Sequence, residues 1–458
     1  MSPGRILSLG MLLAWGCSGA PGPASRAGFR IATFSAEITP PVGHALCGGL
    51  VAPAARIADP LFARGILLWG GDRPLVIAAL DWTELRNEAY DRWRSALAEA
   101  AGTTPQRVLL SCVHQHDAPY ADLEAQRRLD AQGFPGLHVD PGFHERAVQA
   151  VAAAVRDAAR SPRRITHLGM GEAEVERVAS NRRVVAPDGR ARFNRYSLTR
   201  DPAVRDAPEG LVDPMLKTLS FWDGDRPVAA LSAYAVHPMS TYGGGAVSAD
   251  FPGIARGRRE KESPGVFRIY VTGCSGDVTA GKYNLGDDAS RQALAAGLDE
   301  AMARAWRKTR RAPLEGIDLR VAELRFELPP AGPASPAVME QTLADPGATK
   351  SARLLAALGL SWARRVAEGR PVDVPAVDFG PAQFLILPAE AFVEFQLAAQ
   401  RLRPDQFIVV AGYGECGPGY IPTESARAEG YVEEHGYCWV AAGAEEKLRR
   451  AMTRALGR

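Results

Sequence analysis

A chain of 458 residues, 46% hydrophobic and 23% charged, is long and apolar enough to bury a large core, which argues against disorder. Its 54 basic and 52 acidic residues leave a formal net charge of +2, and the arginines are scattered rather than gathered in runs, so the chain offers no footprint for nucleic acid. Beyond the first residues no stretch approaches the ~20 uninterrupted apolar residues of a membrane span. At the N-terminus, Arg5 precedes an apolar run from Ile6 to Trp15 and then Ser18-Gly19-Ala20, which predicts a secretory signal over residues 1–20 and a secreted or periplasmic mature protein. A lipid anchor at Cys17 is the weaker alternative, because Ala14 stands where Leu is favoured. Removing the signal leaves Cys47, Cys112, Cys274, Cys416 and Cys438, an odd number, with Cys416 and Cys438 the pair to test for a disulfide.

In chain order, "ARGILLW" and "PLVIAALDW" flank the turn "GGDR" and predict a hairpin over 63–82. Apolar positions at helical spacing predict a helix from Arg86 to Ala101, ended by Gly102. "RVLLSCV" reads as a buried strand and "FHERAVQAVAAAVRDAAR" as an amphipathic helix. Strand signals recur at "LKTLSFW", "PVAALSAYAVHP", "FRIYVTG", "IDLRVAELRFELP", "AQFLILP" and "QFIVVAGYG", with helices near 287–309 and 337–369. The Pro- and Ala-rich stretch at 327–337 reads as a surface connection inside one domain, and the sequence shows no internal repeat. The expected class is α/β, with mixed sheets flanked by helices.

The chemistry-bearing residues cluster at strand ends. In "VLLSCVHQHDAPY", His114 and His116 are two residues apart, and along a strand that spacing puts both imidazoles on one face. Such a pair suits either two metal ligands or one ligand with a neighbouring acid or base. His237 ends a second apolar strand, and Glu390 follows a third in "FLILPAEAF". Tyr420 and Tyr431 lie in one glycine-rich stretch, and Thr279 in the tight turn "VTGCSGDVTAGKYN". There Gly-Cys-Ser-Gly is one residue short of a Gly-x-Ser-x-Gly nucleophile elbow, which weakens a serine-hydrolase reading. A metallo-β-lactamase site needs His-x-His-x-Asp-His, and here Asp117 comes one position early with Pro119 in place of the last histidine.

Taken together and in order, these motifs resemble the neutral/alkaline (non-lysosomal) ceramidase family, zinc-dependent amidases that cleave the N-acyl bond of ceramide. "SCVHQHDAP" is similar to the family's Thr-His-Thr-His-Ser-Gly-Pro signature, "ASNRR" to its Asn-Arg-Ser motif and "AVHPMSTYGGGAVSADFPG" to its His-Pro segment. "TGCSGDVTAG" is similar to its Gly-Asp-Val loop, and "LPAEAF" with "YIPTESARAEGY" to its Pro-Gly-Glu and Tyr-to-Tyr segments. The resemblance implies Zn²⁺ as cofactor, with His114, His237, Glu390 and Tyr420 as ligands. It implies catalytic roles for His116, near a metal-bound water, for Arg182 and Tyr431, facing the scissile carbonyl, and for Thr279, where the family carries a serine. A small-molecule or lipid N-acyl amide is the implied substrate, and residues 28–458 the implied catalytic domain. Only 27 residues follow Tyr431, too few for the family's C-terminal immunoglobulin-like domain. The chain departs from the signature at Gln115 and Asp117, and an acid beside the imidazoles is expected to orient His116 or to steer the site towards short, soluble N-acyl amides. The rival reading is a non-catalytic binding protein on the same scaffold.

Overall fold

The computed structural model describes Met1 and residues 28–71, 73–431 and 436–458, so the predicted signal segment lies almost wholly outside the described residues. Three sheets dominate, and they share one plan. In the first, Arg30–Glu37, Phe62–Trp69 and Leu75–Leu80 run antiparallel, the helix Asn87–Ala101 follows, and Val108–Cys112 returns parallel to Leu75–Leu80. The second repeats this with His167–Glu174, Met215–Asp223 and Arg226–Tyr234, the helix Asp250–Glu262, and Phe267–Thr272 returning in parallel. In the third the strands are Asp318–Leu324, Val372–Asp378 and Ala382–Ile386, the helix is Val393–Leu402, and Phe407–Ala411 returns.

The chain therefore carries a threefold structural repeat that no sequence periodicity announces. Each returning strand is an almost continuously buried apolar run, the composition of a parallel strand covered on both faces. The three returning strands meet at their C-terminal ends. Cys112 N–H donates to Tyr413 O (2.9 Å), Gly412 N–H to Thr272 O (2.8 Å), and the Thr272 hydroxyl to Val113 O (2.6 Å). In open α/β sheets the loops beyond such strand ends gather ligands.

The α/β class with mixed sheets and flanking helices is as expected, and so is the hairpin of Phe62–Trp69 with Leu75–Leu80. The helix Asn87–Ala101 ends at Gly102, whose φ of 67° lets its N–H reach back to Ala98 O and Glu99 O. Other expectations need correcting. The predicted helix at 337–369 is two helices, Pro336–Ala344 and Lys350–Ala367, broken around Asp345-Pro346-Gly347. The stretch at 327–337 leads from the third sheet into the first of these, whose Met339 and Leu343 share a core with Leu324. All five described cysteines are buried free thiols, so Cys416 and Cys438 form no disulfide.

A buried ion pair ties the first unit to the second. Asp81, just past Leu75–Leu80, takes two 2.7 Å hydrogen bonds from Arg256 on the helix Asp250–Glu262 and one from Phe62 N–H (3.0 Å). Removing one partner of such a pair leaves an uncompensated buried charge. Asp81→Ala is expected to cost about 3–5 kcal/mol in urea unfolding, and Asp81→Leu combined with Arg256→Met to recover most of it; near-parental stability of the single variant would contradict this account.

Candidate metal centre

Two imidazoles face each other because both have their other edge committed. His114 Nδ1 lies 2.9 Å from the Thr83 carbonyl, and His237 Nδ1 lies 2.6 Å from the Ser275 carbonyl. A carbonyl can only accept, so each ring donates from Nδ1 and, when neutral, presents a lone pair at Nε2. The two Nε2 atoms are 3.0 Å apart. Glu390 Oε2 closes the group, 2.9 Å from His237 Nε2 and 3.3 Å from His114 Nε2, and it is buried without a hydrogen-bond donor among the described residues. Three acceptors converging on one buried point are an arrangement that a cation between them would satisfy, whereas a proton on one ring would satisfy a single contact. Burial holds His237 down to about 3, with Arg182 adding to the effect. Burial alone would raise the Glu390 carboxyl, yet the two imidazoles hold it well below the usual carboxylate range.

The arrangement follows from the loops that leave the sheets. His114 lies two residues past Val108–Cys112, with φ of 73°, so the strand has ended before it. Its ring is 5.2 Å from that of His116, so the two rings are neighbours, though a turn and not a shared strand face brings them together. Tyr413, at the matching place after Phe407–Ala411 and with φ of 56°, stacks on His114 at 4.0 Å. Left-handed backbone at two non-glycine residues is the strain expected where side-chain direction matters more than local stability.

Glu390 pairs in parallel register with Tyr420, which brings the phenol beside the carboxylate. Arg182 donates to the Tyr420 hydroxyl (2.7 Å) and to Gly276 O (3.2 Å). Burial opposes the charge on Arg182, but Tyr420, Tyr431 and Glu390 outweigh it and raise its pKa. The same burial pushes both phenols up, against the pull of Arg182. Tyr431 donates to Asn194 at 3.4 Å. Thr279 forms a parallel bridge with His237, but its hydroxyl is committed to Ser197 Oγ (2.5 Å) and its side chain is fully buried. His116 Nδ1 faces Cys47 Sγ at 3.4 Å, while its Nε2 is buried without a partner among the described residues. Burial, then His114 and His237, hold His116 well below the usual imidazole range.

Asp117 does not take the place expected of it: its Oδ1 accepts Gly243 N–H (3.0 Å), and Cys47 instead is the neighbour of His116 Nδ1. Sequence reasoning missed Glu84, Cys47 and Tyr437. With His114, His116, Glu390 and Tyr420 they line a cavity of about 260 Å³, to which Leu50 and Leu355 add an apolar part. A signal for Glu84 existed: it follows a buried strand by four residues, as Glu390 does. Two groups of side chains have ligand atoms within 4.8 Å of one another, His114 with His116 and His237, and Glu84 with His114 and Glu390, so His116 and Glu84 also lie within reach of an ion at this centre.

No family model and no curated protein sequence matches the chain. Among solved structures it is similar to one described as a ceramidase complexed with C2, at a TM-score of 0.69 and 16% identity, covering 94% of this chain and 75% of that one. It is similar also to the neutral ceramidase from Pseudomonas aeruginosa, at a TM-score of 0.67 and 16% identity, covering 94% and 74%. The fold of the chain is neutral ceramidase-like.

Burial raises the Asp117 carboxyl to about 6, only partly offset by Gly243 N–H. An acid whose folded value lies above its unfolded value destabilises the fold once ionised, so stability falls as pH rises from about 4 to about 6. Asp117→Asn keeps an acceptor for Gly243 and is expected to gain roughly 1–2 kcal/mol at pH 7.5, with the gain vanishing below about pH 4. Thermal melts across that range check it; a pH-independent difference would contradict the assignment.

Proposed function

We propose that this protein is an exported, zinc-dependent hydrolase of linear N-acyl amides, ceramidase-like in chemistry as well as in fold. The observation that carries the reading is the convergence of two Nε2 lone pairs and one carboxylate oxygen, within 3.3 Å of one another, beside a cavity that His114 and Glu390 line. With Tyr420 they make two nitrogen and two oxygen donors, a set suited to Zn²⁺. Zinc bound there would supply a water of lowered pKa and a Lewis acid for the amide oxygen.

The other roles follow from how each side chain is held. His116, kept neutral and with Nε2 lacking a hydrogen-bond partner among the described residues, would take a proton from attacking water and return it to the departing amine. Arg182 remains charged and fixes the direction of the Tyr420 hydroxyl, and with Tyr431 it supplies positive potential where the carbonyl oxygen gains charge. Thr279, with its hydroxyl bonded to Ser197, buttresses the His237 loop instead of acting as nucleophile. Residues 28–458 form the catalytic domain in this reading. Among the described residues no helix is long and apolar enough to cross a membrane.

Purified protein is expected to hold about one zinc per chain, and His114→Ala, His237→Ala and Glu390→Ala each to lose it by elemental analysis. Full occupancy in all three variants would sink the assignment. His116→Ala is expected to keep the metal while turnover of an N-acyl amide falls about 10²-fold or more. Thr279→Ala is expected to lose less activity than Arg182→Ala, and an acyl-enzyme trapped at Thr279 would refute the metal-water route.

A further inference from the structure

Each repeat joins its first strand to its second by a long connection, residues 38–61, 175–214 and 325–371. Connections set on a rigid scaffold are where a fold carries specificity. The first brings Cys47 and Leu50 to the cavity beside the candidate metal centre, and the third brings Leu355, on the helix Lys350–Ala367, to the same cavity. The second brings Arg182 to the Tyr420 hydroxyl. Strand ends thus supply the donors for a metal, and the connections supply the surroundings of a substrate.

The cavity holds about 260 Å³. At about 30 Å³ for a group of the size of water, that is room for about eight such groups, whereas an acyl chain of about sixteen carbons would need about 480 Å³. Leu50 and Leu355 give the cavity its apolar part. On the polar wall the Tyr437 and Tyr120 hydroxyls bond to each other and both receive bonds from Arg86, so these phenols find their partners within the protein. Hydrocarbon is the filling that such a cavity suits.

The two edges of the His116 ring separate the halves of a substrate. Nδ1 faces Cys47, on the cavity wall, at 3.4 Å, so Nε2, the edge assigned to the departing amine, is turned away from that wall. Tyr242 is no part of the cavity lining; its ring lies 5.8 Å from that of His116, and at 37% exposure it borders solvent. The cavity is left for the acyl half, and the amine half has the open side.

We propose that the cavity between Leu50 and Leu355 is an acyl subsite that measures chain length, taking a linear acyl group of up to about eight carbons, while the amine half runs past Tyr242 towards solvent. The inference rests on the amide-hydrolase reading for which bond lies at the metal. Each methylene buried in the cavity is worth about three- to fourfold in binding, and carbons beyond it gain nothing.

The test uses zinc-loaded full-length protein and the acetyl, butanoyl, hexanoyl, octanoyl, decanoyl and dodecanoyl amides of one aromatic amine. The kcat/KM is expected to rise about three- to fourfold per methylene as far as hexanoyl or octanoyl, then to level or fall. Leu355 is only part-buried, so its replacement leaves the core of its helix in place. Leu355→Trp is expected to move the break to a shorter chain and Leu355→Ala to a longer one, both with zinc content unchanged. Hexanoyl amides of linear amines from methylamine to dodecylamine are expected to show no break. A gain that continues unbroken to dodecanoyl, a flat profile from acetyl to hexanoyl, a break in the amine series, or a break that neither Leu355 variant moves overturns the proposal. If no amide is cleaved, the hydrolase reading fails, and the carboxylic acids from acetate to dodecanoate are titrated into the same protein by calorimetry. Affinity that rises to hexanoate or octanoate, levels there and shifts with the Leu355 variants then still supports the subsite; any other profile, or no binding, overturns it.

Discussion

The site is decided by two backbone carbonyls. Thr83 O and Ser275 O each take the Nδ1 proton of an imidazole, and both rings must then turn their Nε2 lone pairs inward, to within 3.0 Å of each other and beside Glu390 Oε2. Left alone, that grouping is electrostatically unfavourable in a buried setting, because three acceptors share one space with no donor between them. A divalent cation converts the same geometry into its most favourable form. The remaining polar groups of the region can be understood from this constraint. Tyr413 stacks on His114, Tyr420 is brought to Glu390 by strand register, and Arg182 sets the direction of the Tyr420 hydroxyl.

The scaffold that fixes those carbonyls is a threefold use of one unit, three antiparallel strands, a helix and a parallel returning strand. The returning strands join end to end through Cys112, Thr272 and Gly412, so the loops beyond them are held together by backbone hydrogen bonds rather than by their own side chains. Chemistry then arises from unlike residues at like positions. His114, Cys274 and Tyr413 each stand two residues past a returning strand, and they supply a candidate ligand, a buried thiol and a stacking partner. Glu84, His237 and Glu390 form the second such set, and Tyr120, Thr279 and Tyr420 the third.

Much of this was legible in the sequence, for a definite reason. Residues that follow a fully apolar strand must lie at its end, so His114, His237 and Glu390 could be placed at strand ends from hydrophobic runs alone. That they share one point could not be read, since it depends on how three sheets meet. The i, i+2 argument for His114 and His116 gave neighbouring rings for the wrong reason, because the strand stops at Cys112 and a left-handed turn follows. The repeat escaped notice because its copies agree in buried pattern and not in residue identity. Glu84 escaped because an acid inside "LDWTELR" looks like a solvated loop residue until burial is known, and Asp117 was given a partner by adjacency when its real one, Gly243, is distant in sequence. Cys416 and Cys438 share one segment, yet both remain free thiols.

The most direct measurement is the X-ray absorption spectrum of the zinc-loaded protein. The account predicts a shell of two imidazole nitrogens with oxygen donors at ~2.0–2.2 Å and no sulfur. A scatterer at ~2.3 Å, the distance of a thiolate sulfur, would draw Cys47 into the shell, and a third imidazole would draw in His116; either would contradict the assignment of the centre to His114, His237, Glu390 and Tyr420.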